Sequence, residues 1–284
     1  MVFALLPKIK AMNKTIFILF FFFAFLACKK TEPQAFQTKS EYVKPEQFRI
    51  DSIEINDSVR INDFLSVQYT SKLLVFPDIK DKVLLDSIYF QNKDFTDFSK
   101  QGLQSSLEKE KNTYFNSVKD SSKEWLSDIN RKQTWNSNSS MNVKSNTNDF
   151  LQIQYIFSSY EGGAHDNYGF SERVFDLKNK KKLALKDITT MPEARLEALL
   201  KRNIDILPSG TTDSQGSVKN SDMLLVDVIP ATENFYFDDK NLYFHYSPYE
   251  IAAFAAGDLV IPVSWEDLKT TLTPQFRERM KNFQ

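Results

Sequence analysis

The sequence predicts a mixed α/β (α+β) fold: mainly antiparallel twisted sheets packed with one long and one shorter helix, two subdomains in one body. Three observations carry this. Period-two alternation of apolar and polar residues recurs over residues 48–55, 64–76, 151–159 and 168–175. Apolar residues at three-and-four spacing mark a long helix within residues 96–132 and a shorter one after Pro192. Two aromatic runs, residues 234–237 and 242–246, flank Asp238-Asp239-Lys240-Asn241 and read as a hairpin.

Composition bounds the function. The chain has 284 residues, 42% hydrophobic and 26% charged, an ordinary globular balance. A net charge of −1 gives no electrostatic reason to expect nucleic acid as a partner. Seven glycines are too few for a glycine-rich phosphate cradle, and a single cysteine forbids an internal disulfide.

Taken in order, Met12-Asn13-Lys14 precedes an almost wholly apolar run, residues 15–27, and then Cys28. A basic start, a short apolar core and a small residue before the cut describe a secretory signal, residues 1–27, with Met12 as an alternative start. The run is too short to span the roughly 30 Å hydrocarbon core of a bilayer as a helix. Phe25-Leu26-Ala27-Cys28 resembles a lipoprotein box, so Cys28 is the expected lipid attachment. Residues 28–47 then read as anchor and polar tether, which places the protein in the bacterial envelope, on the periplasmic face or the cell surface.

Residues 48–148 are expected to form the first subdomain. Strands at residues 48–55 and 64–76 are followed by a short helix at 83–89 and the long helix. On that helix Leu107, Tyr114, Val118, Trp125 and Ile129 make one seam for packing on a sheet. Residues 135–148, rich in Asn and Ser, read as a turn-rich connector with at most a short strand at 141–143.

Residues 149–284 form the second. A strand pair is joined by Gly162-Gly163, which supply the special backbone angles of a tight turn. Next come a lysine-rich turn at 178–182 and the helix ended by Pro208-Ser209-Gly210. A polar loop follows at 211–221, then the aromatic hairpin, a last strand at 259–262, a helix capped by Ser264 and a basic terminal helix.

The order YEGGAH, VFDLKNKKKLALKDI, a helix, then NFYFDDKNLYFHYSPYEIAAFAAGDLVIPVSWEDL resembles one family. It is the extracellular domain of RsiV-type anti-sigma factors, also the accessory domain of PdaC-type polysaccharide deacetylases. The segment FLSVQYTSKLLVFP and the long helix look like the smaller PdaC-type partner domain that precedes it. The resemblance implies a fold working outside the cytoplasm and, in the best-understood relatives, binding of a lysozyme.

No catalytic constellation emerges. His165-Asp166 would need further metal ligands at helical spacing, and His245 lies eighty positions on, in a strand, so no metal site is expected. His165 is instead expected to bond neighbouring backbone and fix the turn after Gly163. There is no Gly-x-Ser-x-Gly elbow, and lipidation would consume the one thiol. The expectation is therefore a non-enzymatic module without cofactor that binds a lysozyme-like protein. Tyr160, Tyr168 and Tyr249 are the expected anchors, since tyrosine offers a large contact at low entropic cost. A peptidoglycan- or polysaccharide-binding module is the alternative, and a hydrolase with an unrecognised carboxylate pair the third reading.

Overall fold

A computed structural model of the chain describes residues 48–280, apart from Lys93 and residues 125–130. The leader, Cys28 and the tether lie outside the described residues, as do Trp125 and Ile129. Residues Gln47–Gln284 form one compact unit, mixed α+β as expected.

The chain enters through β1 (Asp51–Arg60) and β2 (Leu65–Val75), an antiparallel pair with Asp51 opposite Val75. Leu65, Val67, Tyr69, Ser71 and Leu73 alternate inward on β2. Asp81 caps α1 (Lys82–Ile88), accepting from the Leu84 amide at 2.9 Å, and Ser99 caps α2 (Lys100–Ser121). The two helices form the crossover that a parallel pair demands, because β3 (Gln133–Thr147) runs parallel to β2. The long helix stops short of the expected end: Arg131 and Lys132 are outside any helix and lead into β3.

That strand is the main correction to the sequence reading, which made residues 135–148 a connector. β3 lies inside the sheet: β2 pairs with its residues 133–140 and β4 with 136–147, so residues 136–140 are paired on both sides. Its short polar side chains bond laterally: Ser139 Oγ to Ser71 Oγ at 2.8 Å, Thr134 Oγ1 to Ser66 Oγ at 3.0 Å, and Asn138 Nδ2 to Ser158 Oγ at 3.1 Å.

β4 (Phe150–Tyr160), β5 (Asn167–Asp176) and the short β6 (Lys181–Lys182) complete a six-stranded sheet in the order β1-β2-β3-β4-β5-β6, antiparallel except at β2-β3. Both faces of the first half of β4 are covered, where alternation had suggested a half-buried strand, while Phe157 farther along is exposed. Leu151, Ile153 and Tyr155 pack under α1 and α2, with Tyr155 Oη donating to Ile88 O at 2.7 Å. Phe150 and Val174 face a second core.

That second core is built by α3 (Leu185–Ile188), α4 (Glu193–Asn203) and a small sheet. The polar loop after α4 carries a two-residue hairpin, β7 (Thr212–Asp213) and β8 (Gly216–Ser217). The small sheet, ordered β11-β10-β9, consists of β9 (Phe235–Phe237), β10 (Asn241–Tyr246) and β11 (Leu259–Ser264). Ser264 caps α5 (Trp265–Leu268), and α6 (Pro274–Met280) sets Phe276 against Phe150 and Phe237.

Gln152, fully buried, splices the two sheets. Its Nε2 donates to Phe237 O at 2.8 Å and its Oε1 accepts from Phe237 N at 2.9 Å. Buried backbone groups of an edge strand need partners, and one glutamine amide supplies both. The result is three layers: α1 and α2, the six-stranded sheet, then the small sheet with α4.

Candidate functional site: an aromatic turn over a buried ionic network

The turn between β4 and β5 meets the loop that joins β10 to β11. Gly162 and Gly163 hold φ of 91° and 116°, angles that side-chain-bearing residues rarely adopt, so the expected glycine turn is present. Ser247 fastens the two segments: its Oγ accepts from Phe170 N at 2.9 Å. The His165 ring stacks on Phe254 at 3.8 Å and 17°. Tyr168 meets Phe254 edge-on at 5.6 Å, and Tyr249 lies 5.4 Å from the same ring.

Tyr249 is 59% exposed and sits at φ 65°, an outlier for a bulky residue. The loop after α4 docks alongside, with Thr211 Oγ1 donating to Ala255 O at 2.9 Å. Of the expected anchors, Tyr168 and Tyr249 come together around Phe254, while Tyr160 stays apart. Its hydroxyl donates to Gly163 O at 3.2 Å within its own turn. His165 does bond backbone, Nδ1 to Asp166 O at 2.8 Å, but in the open, and its ring also serves the stack. Phe254 was not singled out in the sequence; nothing in the run of small apolar residues around it marks it as a hub.

Beneath this cluster lies a network that sequence spacing did not reveal. Phe170 stacks on His245 at 4.7 Å. His245, 2% exposed, sets Nδ1 2.9 Å from Glu172 Oε1 and Nε2 3.0 Å from Asp258 Oδ2. The same Glu172 oxygen accepts from Gln154 Nε2 at 2.8 Å and Lys144 Nζ at 3.1 Å. Its other oxygen is buried without a partner among the described residues. Lys144 Nζ also lies 3.3 Å over the Tyr236 ring, and Asn234 ties the strands by donating to Phe170 O and His245 O while accepting from Glu172 N.

Two carboxylates at one imidazole require both ring nitrogens to carry protons. Burial works against the charged ring, yet the bonds from Asp258 and Glu172 outweigh it, and the His245 pKa is raised. The Asp258 carboxyl is lowered by its bond to His245. Burial, helped by Glu172, pushes Tyr236 up to about 12. With both nitrogens occupied, His245 has none left to take a proton from a hydroxyl or thiol. Among the described residues no group of three or more His, Cys, Asp or Glu is arranged to hold a metal ion.

Comparison with known proteins gives a family match and a fold. The model of the family described as "Protein of unknown function (DUF3298)" matches residues 180–266, which include His245, Tyr249 and Asp258 but not His165 or Glu172. A solved member of that family from Bacteroides fragilis is 22% identical, with 83% of this chain and 98% of that chain covered at a TM-score of 0.66. A DUF3298 family protein from Pseudomonas aeruginosa is 15% identical, with 80% and 96% covered at a TM-score of 0.51. No curated protein matches. The matched family carries no assigned function, and the matches do not name the anti-sigma or deacetylase domains.

Proposed function

We propose that the chain is an envelope-anchored, non-enzymatic recognition module that grips a lysozyme-like protein at the aromatic turn. The observation that carries this reading is Tyr249, a ring kept exposed on a left-handed backbone that costs on the order of 1–3 kcal/mol. The two turns that meet there contribute Glu161, Asp166 and Glu250, with Asp258 already held by His245, while residues 157–171 and 246–258 contain no Lys or Arg. Arg131 and Lys132 precede β3 at the same end of the sheet, so the acidic bias belongs to these turns alone. Lysozymes are commonly basic, and such a patch complements them. The engagement of both His245 nitrogens supports binding over hydrolysis.

Titrating residues 47–284 with a panel of lysozymes should give saturable binding to at least one, weakened at least tenfold by Tyr249→Ala with the fold intact. Absence of binding at tens of micromolar, roughly 6–7 kcal/mol, together with retention on purified cell wall, would replace the protein ligand with a peptidoglycan or polysaccharide. The anchor has its own test. Cys28→Ala should move the full chain from the detergent to the aqueous phase, and unchanged partitioning would remove lipid from the account.

A further inference from the structure

The strands of the large sheet end in two places, and the end away from the aromatic turn is basic. There β1 begins, β2 and β3 end, and β5 turns into β6 through Lys178-Asn179-Lys180-Lys181-Lys182. Lys186 follows on α3 and Lys80 on the turn after β2. Some of these cations are neutralised: Lys181 pairs with Asp187 at 2.7 Å, Lys182 lies 3.8 Å from Glu233, and Arg279 pairs with Asp176. Lys178, Lys180 and Lys186 are exposed and, among the described residues, have no ion-pair partner.

Lys80, Lys178 and Lys180 surround a hollow of about 1040 Å³ floored by Phe48, Ile79, Leu84 and Leu177. Arg49 neutralises Asp78 at 2.6 Å, so the three lysines face Asp81, which caps α1, and the exposed Asp149, and Lys186 adds to the positive excess beside the turn. Lys180 takes a left-handed backbone at φ 52° and is exposed. Phe48 in this hollow is also where residues 1–47 join covalently, so the lysines sit at the root of the tether.

We infer that this basic end docks on an anionic lipid surface, the lysines over phosphate headgroups. In that orientation the aromatic turn, at the opposite end of the same strands, faces away from the membrane. Each lysine near an anionic bilayer strengthens binding about fivefold, within a Debye length of about 8 Å at physiological salt. Three or four together give a moderate, salt-sensitive affinity that sets orientation at a membrane surface. The inference is independent of the ligand at the aromatic end and of lipid on Cys28.

The test is sedimentation of residues 47–284, the compact unit without the apolar leader, with vesicles. Binding should appear with phosphatidylglycerol–phosphatidylcholine vesicles, be absent with phosphatidylcholine alone, and fall as salt rises. The doubly reversed variant Lys178→Glu/Lys180→Glu should lose at least about 25-fold, from two lysine contributions, with an unchanged melting curve. The triple variant Lys80→Ala/Lys178→Ala/Lys186→Ala should also lose most binding without introducing new charge. Equal binding to neutral vesicles, salt-insensitive binding, or full retention by these variants would overturn the inference. Lysozyme titration of the same variants should be unaffected, so the two ends are tested separately.

Discussion

The two ends of the six-stranded sheet handle charge in opposite ways. At the aromatic end the decisive ions are buried: Glu172, His245 and Asp258 form a chain of hydrogen bonds across β5, β10 and the loop before β11. At the lysine-turn end Lys178, Lys180 and Lys186 stand in solvent. A buried ion must have determinate partners, because its desolvation is offset only by good geometry, so that end is rigid and sensitive to single changes. Exposed lysines are screened and interchangeable, and act by number. The first region is therefore defined by its geometry, the second by its summed charge.

The largest expected effect breaks the buried region. Glu172→Ala leaves protonated His245 with one carboxylate and strips Gln154 and Lys144 of their shared acceptor. It should destabilise the protein by about 3–5 kcal/mol in urea unfolding, while a loss below 1 kcal/mol would mean that the network is dispensable.

Next comes pH. The raised His245 pKa means its contribution is complete below the ordinary value of 6.5 and is lost as pH rises through the folded-state value. The lowered Asp258 pKa means its contribution is present above 3.8 and is lost as pH falls through its folded value. Melting temperature should therefore be highest in weakly acidic solution and decline above neutrality, and His245→Gln should flatten the alkaline limb.

A smaller effect sharpens the assignment of Tyr249. Tyr249→Gly relaxes the left-handed backbone but removes the ring contacts, so stability should stay within about 1 kcal/mol of the parent. Lysozyme binding should nonetheless fall, separating presentation from folding. The smallest effect belongs to the lysine-turn end, where Lys178→Ala should shift stability by no more than about 0.5 kcal/mol, while Lys180→Gly, which relaxes a left-handed backbone at φ 52°, should raise it by up to about 1 kcal/mol. A larger loss would show that the turn is structural.

How much of this was legible beforehand differs between the regions as well. The lysine turn was visible as a run of like residues, and the Gly162-Gly163 turn as a dipeptide with one physical use. Tyr168 and Tyr249 could be nominated by residue type, whereas Phe254, on which their rings meet, could not. The ionic network was hidden because Glu172 and His245 are 73 positions apart and sit on strands of different sheets. His245 alone reads as a lone histidine in an aromatic strand.

The sequence by itself determined the local structure. Alternation gave β1, β2, β4 and β5, helical spacing gave α2 and α4, and turn chemistry gave the hairpin of β9 and β10, because each depends on residues within a few positions. Tertiary structure decided the rest. β3 is a strand because β4 pairs along most of it and β2 along its first half, which its Asn- and Ser-rich sequence does not announce. Gln152 is buried because a second sheet offers its amide a donor and an acceptor at Phe237. The His245 pKa is raised because two distant carboxylates converge on it; residue type set only what it could become, and packing chose which.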